Sequence, residues 1–242
     1  MRTQLRTARV DGQTLRWRQV GAGSPLVLVH GLAGSWRWWR AVLPSLAERR
    51  TVHLLDLPGF GRLPGVRRFD LDGAVDWVAR WTDAADVAPA DVVGHSLGGL
   101  VCARLAARHP EVVRRLVLVA PAGVPGHDLT GAALPLARSL LALRPGFLAL
   151  LARDAARSGL VTTLSAALAV LAADVRDDLA AVTAPTLVVL GRDDPLVPVA
   201  NGAEIKRVLP HAELRILDAG HVPMVEQPDA FSREVLAFLA GR

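Results

Sequence analysis

The chain is poor in the residues that cross-link a protein or anchor it to a membrane. Cysteine occurs once, as Cys102, so no intrachain disulfide and no cysteine-based metal site can form, and a reducing, cytoplasmic setting is expected. Lysine also occurs once, as Lys206, so the net charge of +5 comes from arginine. Near the N-terminus Arg2, Arg6, Arg9, Arg16 and Arg18 face only Asp11, the spacing of a solvated strand face, and no nucleic-acid partner is expected. Met1 to Val20 holds no apolar stretch of the kind a secretory signal needs. The longest nearly uncharged apolar run, Leu160 to Ala173, is too short to span a bilayer, so stable membrane insertion is not expected. No internal repeat or low-complexity linker interrupts the 242 residues, a length that suits one core with an insertion.

What is present is an alternation of short apolar runs with longer helical patterns, the signature of parallel βαβ units. Arg6 to Val10 and Leu15 to Val20 flank Asp11-Gly12, a hairpin turn signal. Leu26 to Val29, Thr51 to Leu55, Asp91 to Val93 and Leu116 to Val119 read as buried strands. Trp36 to Ala47, Leu71 to Ala84 and Leu97 to Arg108 fill the intervals as helices. The strand signal vanishes from about Ala122 to Val182, where Leu/Ala-rich helical stretches break at Pro135, Pro145-Gly146 and Gly159. It resumes at Thr186 to Leu190 and Glu213 to Leu217. The expected architecture is therefore α/β: a mostly parallel sheet with helices on both faces, built from residues 1–121 and 183–242, and a helical cap inserted at 122–182. Between residues 127 and 180 five arginines balance five aspartates, so the cap is neutral overall and its apolar faces need a partner. A static helical layer is the plainer reading of it.

Gly94-His95-Ser96-Leu97-Gly98 joins a predicted strand to a predicted helix, and this setting reads as a nucleophile elbow. A strand that reverses into a helix within one residue holds its serine in a strained conformation and tolerates only glycine two positions to either side. The plainer alternative is a serine that caps the helix. A serine hydroxyl needs an imidazole to take its proton, and the imidazole needs a carboxylate to orient it. His221, in Asp218-Ala219-Gly220-His221-Val222-Pro223 after the last strand, is the expected base. His95 is expected to point elsewhere on the turn. The acid follows the strand ending at Leu190, where Asp193 and Asp194 compete and spacing alone does not choose between them. Oxyanion donors are expected from the Leu97 amide and, in the loop His30-Gly31-Leu32-Ala33-Gly34-Ser35, from the Leu32 amide, with His30 bracing that loop.

Taken together, the early His30-Gly31, the central Gly94-His95-Ser96-Leu97-Gly98-Gly99, the late Gly191-Arg192-Asp193-Asp194 with Pro198, and the final Gly220-His221 resemble the α/β-hydrolase superfamily over nearly the whole chain. Asp56-Leu57-Pro58-Gly59-Phe60-Gly61 is similar to another loop of that family, although Arg62 stands where many members carry a small polar residue. The family's Gly-x-x-Asp spacing favours Asp194. The resemblance implies a serine hydrolase with Ser96, Asp194 and His221 as catalytic residues, no metal or cofactor, and a small-molecule carboxylic ester as substrate. A serine nucleophile argues against epoxide or halide chemistry, and the chain has no tyrosine to protonate an epoxide oxygen. Carbon–carbon bond hydrolases of the family commonly carry asparagine where this chain has His95, and cofactor-free haloperoxidases proline where it has Ala33, so ester cleavage is the expected reaction. Lipase action at an interface, and a non-enzymatic ligand receptor on the same fold, are the other expectations. Trp36, Trp38 and Trp39 beside the oxyanion loop suggest an apolar acyl group, or else packing anchors.

Overall fold

The computed structural model describes residues 2–10, 13–61, 63, 68–124 and 133–241. Within them, one sheet holds β1 (Gln4–Val10), β2 (Gln13–Val20), β3 (Ser24–Val29), β4 (Arg50–Leu55), β5 (Ala90–His95), β6 (Val113–Val119), β7 (Thr186–Gly191) and β8 (Glu213–Leu217). Their spatial order is β1-β2-β4-β3-β5-β6-β7-β8. The pairs β1–β2 and β2–β4 are antiparallel, and all other neighbours are parallel. The turn at Asp11-Gly12 lies outside the described residues, as does Arg62.

Alternation along the strands builds two cores. Val27, Val29, Val92, Leu116, Leu118 and Val188 face one side, under α2 (Leu71–Ala84) and α3 (Leu97–Arg108). Leu26, Leu28, Val93, Val117, Leu187 and Val189 face the other, under α1 (Leu43–Ala47) and the C-terminal helix. Helices on both faces explain why these strands read as unbroken apolar runs. The bounds of α2, α3 and β8 coincide with the sequence expectation. The stretch 36–47 does not form one helix: it divides into a 3-10 turn, Trp36–Trp39, and α1. Pro44 has no N–H to donate, and its ring would strike the carbonyl of Arg40, so an unbroken helix cannot pass through it.

Between β6 and β7 come α4 (Ala133–Ala142), α5 (Pro145–Ser158), α6 (Leu160–Ala172) and α7 (Arg176–Ala181), while residues 125–132 lie outside the described residues. Pro135 does not break α4 because it falls in the first turn, where amides have no helical acceptor. Gly159, at φ 79°, separates α5 from α6. Leu179 and Val182 sink into the α3-side core, and Arg104 pairs with Asp178 at 3.0 Å, so α7 packs as part of the main body. After β7 follow α8 (Ala200–Val208), α9 (Pro223–Glu226) and α10 (Pro228–Leu239). Because β3, β5, β7 and β8 run parallel, the loops after them open at one edge of the sheet, where ligands of open α/β sheets bind.

Candidate active site

Ser96 links β5 directly to α3 with φ 51° and ψ −115°, a conformation that costs a non-glycine residue about 1–3 kcal/mol. The surroundings hold it there. The Ser96 amide donates to Val119 O at 2.9 Å, and its carbonyl accepts from Leu100 at 3.0 Å and Ala122 at 3.1 Å. A β-carbon at Gly94 would lie 2.3 Å from Gly98 O, and one at Gly98 would lie 2.5 Å from both Val29 O and His30 O. The Ser96 hydroxyl makes no capping bond to α3, so the helix-cap role is not the one it fills.

His221 Nδ1–H donates to Asp194 Oδ2 at 2.8 Å, which leaves Nε2 of the ring for a substrate or nucleophile. The other Asp194 oxygen accepts the amides of Leu196 at 2.8 Å and Val197 at 3.1 Å, while Asp193 is exposed. Burial pushes the Asp194 carboxyl up. The bond to His221, its charge, and the amides of Val197 and Leu196 outweigh that and hold the group below the usual carboxylate range. Of the two neighbouring aspartates, it is Asp194 whose carboxylate meets His221.

His95 points past Ser96 to the loop of His221, a partner the sequence did not name. Its Nε2–H donates to the backbone carbonyl of His221 at 2.8 Å, and the two rings lie 4.9 Å apart. Burial, then the neighbouring His221, lowers its pKa to about 3, so it stays neutral. This contact ties the His221 loop to the residue preceding Ser96. Glu226, in α9, holds the same loop from the other side, accepting Gly220 N–H at 2.7 Å and Val222 N–H at 3.1 Å. The sequence reading missed Glu226. A carboxylate five residues after a loop histidine, at the end of a turn opened by Pro223, was the available signal.

The β3 loop sits against this group: a β-carbon at Gly31 would lie 2.7 Å from His95 Nδ1 and 3.2 Å from Ser96 Cβ. His30 braces the loop. Its Nδ1–H donates to Gly31 O at 2.8 Å and its Nε2 accepts Leu57 N–H at 3.0 Å, with burial lowering its pKa and keeping it neutral. Leu97 is the first residue of α3, and Leu32 lies inside the turn closed by Gly34 N–H to Gly31 O. Among the described residues neither amide donates to a backbone acceptor outside helices and strands. Two further residues were not legible in the sequence. Ser35 Oγ donates to Asp154 Oδ2 at 2.6 Å across 119 residues, and Asp154, on α5, is wholly buried with Oδ1 unpartnered among the described residues. This bond ties the inserted helices to the loop that carries Leu32.

Trp39 is fully buried against Phe231, 6.3 Å between centroids, and is a packing anchor. Trp38 lies between Phe147 of α5 at 5.1 Å and His95 at 5.7 Å. Trp36 is flanked by the guanidinium groups of Arg18 at 4.8 Å and Arg37 at 5.2 Å. Cys102 is buried, its thiol pushed up by burial and therefore unreactive. Among the described residues no group of three or more His, Cys, Asp or Glu is gathered as a metal ion would need.

The sequence model of the Alpha/beta hydrolase family matches residues 26–234, a span that includes all four loops. The dihydrolipoyllysine-residue acetyltransferase component of an acetoin cleaving system from Pseudomonas putida is 35% identical over 257 residues, covering 96% of this chain and 68% of that protein. A pimeloyl-acyl-carrier-protein methyl ester esterase of Aeromonas hydrophila is 33% identical, covering 91% of this chain and 97% of that one. The 2-hydroxymuconate semialdehyde hydrolase of Pseudomonas sp. strain CF600 is 31% identical, covering 91% and 88%. Family match, sheet order and the loops gathered at one sheet edge lead to the same conclusion: the chain belongs to the α/β-hydrolase family.

Proposed function

We propose that the chain is a serine hydrolase that cleaves a carboxylic ester with an apolar acyl group through an acyl-enzyme. The observation that carries this reading is the 2.8 Å bond from His221 Nδ1 to Asp194, on a loop that His95 ties to the strained Ser96 turn. In the proposed mechanism Ser96 Oγ attacks the ester carbonyl carbon as its proton passes to His221 Nε2, and Asp194 stabilises the imidazolium. The amides of Leu32 and Leu97 hold the oxyanion, each worth about two to three orders of magnitude in rate. Collapse breaks the bond to the alcohol, which takes the proton from His221. Water, deprotonated by the same imidazole, attacks the acyl-enzyme, the acid leaves, and Ser96 regains its proton.

Apolar acyl preference rests on the inner side of α5, where Phe147 packs on Trp38 and Leu150 and Leu151 pack against the same core. The methyl ester esterase relative supports ester cleavage. The semialdehyde hydrolase relative favours a second reading, in which the same steps expel a carbon leaving group. Turnover of p-nitrophenyl acetate, butyrate, octanoate and palmitate by wild type and Ser96→Ala, alongside a dienoate substrate, separates them. Repeated ester turnover abolished by the substitution is expected. Cleavage of the dienoate alone would favour the second reading, and at most one adduct per chain a receptor.

A further inference from the structure

The outer surface of α4 to α6 is unlike the rest of the molecule. Seven of the nine large apolar side chains that are exposed among the described residues lie on these three helices. On α6, Leu160, Leu164 and Leu168 form one stripe at intervals of four, with Leu160 81% exposed; on α4, Leu134 and Leu141 stand one heptad apart, with Leu141 86% exposed. Arg138, Arg144, Arg153 and Arg157 are exposed on α4, on α5 and at the turn between them, and among the described residues none pairs with a carboxylate. The charge balance read from the sequence is not a balance in space. Asp174, Asp177 and Asp178 gather at α7, where Asp174 binds Arg176 and Asp178 binds Arg104; Asp154 is buried under α5; and Asp128 lies outside the described residues.

We infer that this face is a docking surface for an anionic lipid bilayer, leucines entering the headgroup–acyl boundary and arginines meeting the lipid phosphates. A second copy of the chain fits poorly, because a two-fold contact would set these arginines against their own kind with no exposed carboxylate on α4 to α6 to answer them. The helices lie on the bilayer rather than through it: no single helix among the described residues is long and apolar enough to cross a membrane. α5 and α6 together have the length and composition but turn by 104° at Gly159. This inference stands apart from the ester chemistry, since Ser96→Ala protein should bind equally well.

Co-sedimentation of the full chain with vesicles of phosphatidylcholine alone, and of phosphatidylcholine mixed with phosphatidylglycerol, tests it. Binding is expected to the anionic vesicles and to weaken with salt. Arg153→Gln with Arg157→Gln should lower it about 25-fold, from about fivefold per arginine at a membrane surface. Leu160→Ser with Leu164→Ser should lower it about tenfold or more. Both variants should keep wild-type thermal stability and turnover of a water-soluble ester. Three outcomes would overturn the inference: no anionic preference, binding unmoved by either variant, or a dimer in sedimentation velocity that Leu160→Ser with Leu164→Ser dissolves.

Discussion

Gly94 and Gly98, under the Ser96 turn, have carbonyl oxygens 2.3 and 2.5 Å from where a β-carbon would sit, whereas Gly146, at the start of α5, has nothing within 4 Å. The same contrast runs through the polar groups. At the sheet edge each loop is held by more than one bond: Asp194 by two amides and His221, the His221 loop by His95 and Glu226, the β3 loop by both ring nitrogens of His30. Among the described residues, the inserted helices α4 to α6 reach the β3 loop through one buried hydrogen bond, Ser35 to Asp154, together with Phe147 on Trp38. The loops gathered at the sheet edge are over-determined. The outward sides of α4 to α6 carry no such constraint among the described residues.

Breaking the over-determined side should have the largest effects. Asp194→Asn keeps the shape but loses the acceptor that fixes the His221 tautomer, and should lower kcat about ten-thousand-fold, while Asp193→Asn leaves it near wild type; steady-state kinetics on one ester decides. Gly98→Ala should cost about 3 kcal/mol in urea unfolding, because the obstructing atoms are backbone carbonyls of the β3 loop and cannot swing aside. The tie between the β3 loop and the helices is worth less. Asp154→Ala should cost about 2 kcal/mol, and Ser35→Ala as much or more because it leaves a buried carboxylate without its donor. The double variant should then cost less than the sum, a non-additivity that a thermodynamic cycle measures directly.

Acid should act on the same side of the contrast, since α4 to α6 contain no histidine. Burial, then His221, holds His95 near 3 in the folded chain against an ordinary 6.5, so the unfolded chain takes up the proton first. The stability is fully present above pH 6.5 and is lost as pH falls toward 3, at about 1.4 kcal/mol per pH unit for this group. Urea midpoints at pH 7, 6 and 5 measure the slope, which His95→Gln should flatten. The smallest effect has the opposite sign: Gly146→Ala should stabilise by about 0.5 kcal/mol, removing glycine from a helix with open space beside it.

What depends on short spans of chain is written in the sequence. Strand and helix alternation follows from apolar period, and the Ser96 turn from five consecutive residues whose steric needs are mutual, so both were legible without a neighbour in space. The choice of Asp194 rested in the sequence on a family spacing. Its reason lies in the turn after β7, which points one carboxylate at a histidine 27 residues away and the other at solvent. The partner of His95 was not legible because it is a backbone carbonyl 126 residues on, and backbone positions carry no mark in composition. Tertiary structure alone decided the roles of Glu226, Ser35 and Asp154, the burial of Trp39, and the separation of the inserted segment's charges. Each depends on which surfaces meet, and a net charge or a residue count sums over surfaces that the fold then places apart.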